Sequence, residues 1–122
     1  KLMSKIQHEN ILPIYNGFAV NKEPFETGFA LVEPYMEEGD LYHEIMKRKE
    51  NKNPFKEDEI ICILYQLLKV LKYIHENKVI HRDIKLSNIF VTKSNNNLHV
   101  YVSDFKCGKK YQISILKTMA GT

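Results

Sequence analysis

The sequence has 122 residues, of which 43% are hydrophobic and 27% charged, and its net charge is +3 at pH 7. This composition excludes a disordered chain and is typical of a globular protein. The lysines are scattered and no apolar run is long enough to span a membrane, so we expect no nucleic-acid and no membrane partner. Cys62 and Cys107 are far apart in no metal-ligand spacing, which favours an intracellular, cytoplasmic protein.

The first third of the chain predicts one helix end and a hairpin. Residues 1–8 have helical spacing, and residues 11–20 are apolar and aromatic, as in a strand. A turn at residues 21–24 leads to a second strand over residues 29–32, which Pro34 should end. The sequence starts at Lys1 inside a helical pattern and stops without a terminal signal, so we expect both ends to be cut from a longer domain.

Two helices follow. Asp40 is a good N-cap for a helix that ends in basic residues, and residues 49–55 form a polar loop. The strongest period runs from Glu57 to about Glu76, with three acidic residues in the first turn. Its apolar stripe contains Ile60, Ile61, Leu64, Leu67, Leu68, Leu71 and Ile74, widened by Ile63 and Val70. We expect so apolar a helix to need more covering surface than this chain supplies.

The last predicted elements are two short strands over residues 89–91 and 100–102, joined by a polar loop over residues 92–97. From residue 106 the sequence has no period and predicts a long loop.

Polar side chains crowd the segment before the first of these short strands. Asp83, Lys85 and Asn88 lie within six positions, and Asp104 follows the next strand, which a hairpin would return beside Asn88. A carboxylate can accept a hydroxyl proton, an ammonium can neutralise phosphate charge, and amide or carboxylate oxygens suit Mg²⁺. This set is what phosphoryl transfer requires.

Residues 81–88 (HRDIKLSN) resemble the catalytic loop of protein kinases at every defining position. The resemblance implies that Asp83 is the catalytic base and that Asn88 binds a metal ion. It also implies that Lys85 contacts the γ-phosphate, and a lysine there is typical of Ser/Thr kinases. Asn88 and Lys85 would thus both bind the Mg-ATP cofactor.

Two further segments carry the same resemblance. Asp104-Phe105 is similar to the start of the Asp-Phe-Gly element, which implies that Asp104 binds Mg²⁺. Residues 33–39 match the hinge, so that the Pro34 carbonyl and the Met36 amide would bond adenine, with Glu33 in the gatekeeper position.

The resemblance also implies regulatory residues. Arg82 would receive an activating phosphate, for which Thr118 is the candidate acceptor. Thr122, in a Gly-Thr pair, would bond back to the base aspartate. His81 is expected to pack and hydrogen-bond the loop rather than to act as a base.

The implied fold is α+β and two-lobed, with only the end of the N-lobe and the first part of the helical C-lobe present. Residues 1–35 would be the N-lobe remnant, and residues 36–122 the hinge and the C-lobe through the activation loop. The implied function is transfer of the ATP γ-phosphoryl group to Ser or Thr of protein substrates. Within the family, residues 39–42 (GDLY) and 88–90 (NIF) resemble NIMA-related kinases, whereas the long turn after Val20 and the Pro34-Tyr35 hinge resemble the numb-associated group; of the two groups we favour the NIMA-related one. Because the glycine-rich loop and its lysine would lie upstream of Lys1, the fragment alone should not turn over ATP.

Two alternatives stay open. Lys106 replaces the glycine of Asp-Phe-Gly, and Glu33 is an unusual gatekeeper, which would suit a pseudokinase that acts as a binding or scaffolding module. Small-molecule kinases of the aminoglycoside or choline type share the His-x-Asp and Asn spacing. Arg82, Lys85 and residues 121–122 argue against that second alternative, because they serve a protein-kinase activation segment.

Overall fold

The computed structural model describes residues 6–22 and 26–105. In chain order the elements are β1 (Asn16–Lys22), β2 (Glu26–Val32), α1 (Leu41–Glu50), α2 (Glu57–Glu76), a 3₁₀ turn (Leu86–Asn88), β3 (Ile89–Ser94) and β4 (Asn97–Val102). Strands β1 and β2 form one antiparallel hairpin, and β3 and β4 form a second one. The mixture of helices and strands agrees with the expected α+β class.

The first hairpin is displaced along the chain from its predicted position. The strand predicted over residues 11–20 begins only at Asn16, and it continues through Lys22 into the predicted turn. Pro13 lacks an N–H and interrupts the run. The residues before it pair elsewhere: Leu12 N donates to the Val102 carbonyl at 2.9 Å, and Val102 N donates to the Asn10 carbonyl at 2.8 Å. The predicted end of the second strand before Pro34 is confirmed, since β2 ends at Val32.

Both helices begin as predicted. Asp40 caps α1, because its Oδ1 accepts a hydrogen bond from His43 N at 2.9 Å. At the start of α2, Lys56 has no acceptor side chain, and Glu59 compensates by accepting from Lys56 N at 2.8 Å. The buried residues of α2 are Ile63, Gln66, Val70 and Ile74.

Only part of the apolar stripe predicted for α2 therefore packs against other residues of this chain. Ile60, Ile61, Leu64 and Leu68 are exposed. Ile63 instead packs against the β3–β4 hairpin, where Ile89, Val91 and Val100 are buried. The second half of α2 packs Val70 and Ile74 on Ile11, Val79 and Val102.

The second hairpin is longer than the sequence predicts. The segment assigned to a loop over residues 92–97 continues both strands, and only Asn95 and Asn96 form the turn. Both have positive φ, 49° and 64°, as a two-residue type I′ turn requires. Asparagine tolerates that conformation. The turn therefore needs only two residues, and the polar residues on either side of it remain paired between β3 and β4.

Candidate active site

The segment between α2 and β3 brings three of the predicted residues together. The Asn88 amide Nδ2 donates to the Asp83 carbonyl at 2.9 Å and to Asp83 Oδ2 at 3.2 Å. Lys85 Nζ lies 3.3 Å from the same Oδ2 atom. An amide donor and an ammonium group therefore converge on one carboxylate oxygen and orient the carboxylate.

His81 ties this loop to the end of β4. Its ring is only 2% exposed. Nε2 donates to the Ser103 carbonyl at 2.7 Å, while Nδ1 accepts from Asp83 N at 3.1 Å. With Nδ1 as the acceptor, the ring nitrogen that donates is Nε2. The ring also packs on Phe105, with 4.4 Å between centroids, so the predicted structural role of His81 is confirmed.

The β3–β4 hairpin returns the chain to Asn88, as the sequence predicts. Ile89 pairs with Val102, and the next residue, Ser103, donates to the Asn88 carbonyl from its N at 2.9 Å and from its Oγ at 3.1 Å. Asp104 follows with a φ of 55°. Positive φ is uncommon for a residue with a side chain and is often found at functional sites.

Asn88 and Asp104 both border a cavity of about 380 Å³. Its wall combines apolar side chains with polar groups from both hairpins. The lining residues are Leu12, Ile14, Leu31, Glu33, Ser87, Asn88, Phe90, Ser103, Asp104 and Phe105. Apolar walls with a few convergent polar groups are typical of small-molecule sites. A second cavity of about 700 Å³, beside Tyr101, is lined by none of the predicted site residues.

The remaining predicted residues are not all at this cavity. Pro34 and Met36 are not among its described lining residues. The Met36 carbonyl accepts from Gly39 N at 3.0 Å in the turn that leads to α1. Arg82 is exposed beside Asp83 and has a φ of 73°. The predicted regulatory residues Thr118 and Thr122, and also Lys106, lie outside the described residues.

The oxygen atoms at the cavity suit a hard divalent cation. Because Asn88 bonds to Asp83 through Nδ2, its amide oxygen takes no part in those bonds, and Asn88 and Asp104 line the same cavity. Such oxygens are the ligands that Mg²⁺ prefers, together with substrate phosphates. Within residues 6–22 and 26–105, no group of three His, Cys, Asp or Glu side chains could hold a metal ion. A Mg²⁺ ion at this cavity would therefore be held by two protein oxygens together with phosphate oxygens, and not by protein side chains alone.

Glu33 is the second carboxylate at the cavity. Burial raises the pKa of Glu33, and the nearby negative charge of Asp104 raises it further. The two carboxylates thus disfavour a further negative charge beside them unless a cation accompanies it.

An ion cluster behind β3, centred on the buried Glu44, was not predicted. Glu44 of α1 is 2% exposed, and its Oε1 accepts from Arg48 Nε at 2.9 Å and from Lys93 Nζ at 2.5 Å. Arg48 also binds both carboxylate oxygens of Glu59, at 2.9 and 3.1 Å. The cluster joins α1, α2 and β3, the strand that begins directly after Asn88. The four-residue spacing of Glu44 and Arg48 is readable in the sequence, but their partners Lys93 and Glu59 are not.

Neither helix in the described part of the chain is both long and apolar enough to cross a membrane.

Comparison with protein families gives a match to the protein kinase domain over residues 1–122. The chain is also similar to curated kinases along almost its whole length. It is 32% identical to "Probable serine/threonine-protein kinase nek3" of Dictyostelium discoideum and 32% identical to "Serine/threonine-protein kinase Nek9" of Mus musculus, with 99% of the chain covered in both cases. It is 33% identical to "Serine/threonine-protein kinase Nek5" of Mus musculus, again over 99% of the chain.

These matches confirm the resemblance to Ser/Thr protein kinases, including the NIMA-related group. The chain spans only 10%, 12% and 18% of the length of these three relatives.

Proposed function

Because the chain belongs to the protein kinase domain family, we propose that the whole protein transfers the γ-phosphoryl group of ATP to serine and threonine residues of protein substrates. The observation that carries the proposal is the convergence of Lys85 Nζ and Asn88 Nδ2 on the Asp83 carboxylate, at the mouth of the hairpin that carries Asp104.

Each side chain has a chemical task in this proposal. Asp83 accepts the proton of the attacking hydroxyl group, with its carboxylate held in place by Asn88. Lys85 contributes a positive charge where negative charge develops on the transferred group. The Asn88 amide oxygen and the Asp104 carboxylate would hold Mg²⁺.

The family uses ATP with Mg²⁺, and the cavity supports the same cofactor here. Bound Mg-ATP supplies the phosphoryl group and the metal charge that neutralises it. The apolar walls formed by residues such as Leu12, Leu31 and Phe90 suit a flat base. The Pro34 carbonyl and the Met36 amide remain the proposed adenine contacts.

His81 holds the two halves of the proposed site in register. Because it bridges Asp83 N and the Ser103 carbonyl, it links the proposed base to the residue before Asp104. Precise spacing of reacting groups accounts for a large part of catalysis in phosphoryl transfer.

Regulation by phosphorylation is a further part of the proposal. A phosphate on Thr118 would pair with the guanidinium of Arg82, which adjoins the proposed base. Thr122 would bond to Asp83 from the end of the same segment. Phosphopeptide mapping of active protein should find Thr118 modified, and unmodified Thr118 in fully active protein would contradict this part alone.

The test uses the full-length protein with Mg-ATP and a generic protein substrate such as casein. We expect phosphoserine and phosphothreonine to form, and Asp83→Asn to lower the rate at least about a hundredfold, since it removes the base. Asp58→Asn is the matched control, because Asp58 is exposed in the first turn of α2, and it should leave the rate unchanged.

The other outcomes separate the alternatives. Binding of Mg-ATP without any transfer would identify a pseudokinase binding module. Transfer to a small alcohol or aminoglycoside, but to no protein, would identify a small-molecule kinase. Transfer to protein that survives Asp83→Asn would refute the role of Asp83.

A further inference from the structure

Ser103 connects the two residues that are proposed to hold Mg²⁺. It is 7% exposed, and it immediately precedes Asp104 in the chain. Its N and its Oγ donate to the Asn88 carbonyl at 2.9 and 3.1 Å, and its own carbonyl accepts from His81 Nε2 at 2.7 Å. Three polar atoms of Ser103 are thus bonded to the segment that contains the proposed base, Asp83.

Only one of these three bonds depends on the Ser103 side chain. The bond from Ser103 N continues the ladder in which Ile89 pairs with Val102, and any residue except proline can make it. The hydroxyl bond is additional and brings a second donor to the same carbonyl. A carbonyl oxygen has two lone pairs and can accept both donors. The peptide unit of Asn88 is therefore held at two points instead of one.

The Asn88 side chain is held at its other end by Asp83. Its Nδ2 donates to the Asp83 carbonyl and to Asp83 Oδ2 at 2.9 and 3.2 Å, and its amide oxygen takes no part in those bonds. Asn88 is itself 8% exposed, so these anchors are formed away from bulk water. The position of the amide oxygen consequently depends on where the Asn88 backbone lies, and Ser103 fixes that backbone.

The position of Asp104 depends on Ser103 as well. The two residues share one peptide unit, and His81 holds the carbonyl of that unit. Asp104 follows it with a φ of 55°, which is an uncommon conformation for a residue with a side chain. Both proposed Mg²⁺ ligands, Asn88 and Asp104, are therefore oriented through Ser103.

We propose that Ser103 is a positioning residue, whose hydroxyl group holds Asn88 where its amide oxygen and the Asp104 carboxylate can bind the metal ion of Mg-ATP. The inference rests on the proposed function, because it requires that a nucleotide enters this cavity with Mg²⁺. Removal of a hydrogen bond that orients a metal ligand typically weakens metal binding by about 10–100-fold. The hydroxyl bond of Ser103 acts on one of the two ligands, so we expect an effect at the lower end of this range.

The test measures nucleotide binding to the full-length protein with and without the metal ion. The non-hydrolysable ATP analogue adenylyl imidodiphosphate is titrated calorimetrically, once in excess Mg²⁺ and once in EDTA. For the wild-type protein we expect Mg²⁺ to tighten binding at least about tenfold, because it joins protein oxygens to phosphate oxygens. Ser103→Ala should raise the dissociation constant in Mg²⁺ about tenfold and leave the value in EDTA within about twofold of wild type.

Two further variants identify the hydroxyl group as the cause. Ser103→Thr keeps a hydroxyl group at the same position and should restore the tightening by Mg²⁺. Ser94→Ala removes the same group from an exposed position at the other end of β3, which does not line the cavity. It is the matched control and should keep both wild-type dissociation constants.

The inference is overturned if Ser103→Ala keeps the full tightening by Mg²⁺. It is also overturned if Ser103→Ala weakens binding equally in Mg²⁺ and in EDTA, since the hydroxyl group would then act on the nucleotide or on the cavity as a whole. A loss that Ser103→Thr shares would equally exclude the hydroxyl group as the cause.

The protein-phosphorylation assay on the same samples separates this inference from the proposed function. Wild-type protein that phosphorylates the substrate, together with a Ser103→Ala variant that keeps the full tightening by Mg²⁺, refutes the inference alone. Wild-type protein that binds no nucleotide in either titration refutes the proposed function, and with it the inference.

Discussion

Replacement of Glu44 by Gln should destabilise the fold through the ion cluster behind β3. Glu44 accepts hydrogen bonds from Arg48 and from Lys93 while it is itself 2% exposed. Gln keeps the shape and one acceptor oxygen but loses the negative charge. Arg48 retains its two bonds to Glu59, so the main loss is the charge opposite Lys93 and the Nε group of Arg48.

The expected cost follows from these contacts. Hydrogen bonds to charged groups contribute about 1.5–3 kcal/mol each when they are buried. The Lys93 side chain is 41% exposed, so solvent screens that contact and reduces its contribution. Since Gln also preserves part of the Arg48 contact, we expect the free energy of unfolding to fall by about 2 kcal/mol.

The difference in the free energy of unfolding between wild type and Glu44→Gln should depend on pH in a defined direction. Burial by itself would raise the pKa of Glu44, but the hydrogen bonds from Lys93 and Arg48 outweigh it, so the pKa lies below its ordinary value of 4.5. A lowered carboxyl pKa contributes stability above the ordinary value, and this stability is lost as the pH falls through the folded-state pKa. The gap between wild type and Glu44→Gln should therefore be full at neutral pH and shrink below about pH 4.5.

Urea unfolding of the full-length protein, followed across this pH range, measures the effect. Glu50→Gln is the matched control, because Glu50 is exposed at the end of the same helix and should change stability by less than about 0.5 kcal/mol. If Glu44→Gln is as stable as the control at pH 7, the cluster is not a source of stability. If its deficit is instead constant down to pH 3, the negative charge of Glu44 is not what stabilises the fold.

Three further changes test other parts of the structure. His81→Leu leaves the Ser103 carbonyl and Asp83 N without their partner, so the free energy of unfolding in urea should fall by about 2–4 kcal/mol. The rate in the kinase assay, per amount of folded protein, should also fall, and an unchanged rate would contradict a positioning role. Asn96 has a φ of 64°, so Asn96→Val should lower the free energy of unfolding by about 1–2 kcal/mol, while Asn96→Gly keeps wild-type stability. Equal urea midpoints for the two variants would refute the type I′ turn. Glu9 forms an exposed ion pair with Lys69, so Glu9→Gln should leave the thermal midpoint unchanged at physiological salt, and a clear decrease would contradict that expectation.

The site could be predicted from the sequence because its residues are close together in the chain. Asp83, Lys85 and Asn88 span six positions, so a single loop brings them into contact. The position of Asp104 beside Asn88 needed only the assumption of a hairpin, and the pairing of Ile89 with Val102 bears it out. The cavity was not predictable in the same way, because its wall joins residues from 12 to 105.

Local periodicity and end signals determined α1 and α2 almost completely, since helix hydrogen bonds and caps connect residues three or four positions apart. Only the tertiary structure decided which face of α2 packs, where Leu12 finds its partner and how Glu44 is neutralised. In each of these cases the partner is remote: Leu12 bonds to Val102 and Glu44 pairs with Lys93. Contacts across such separations depend on how the elements pack, and the local pattern of a sequence carries no record of that packing.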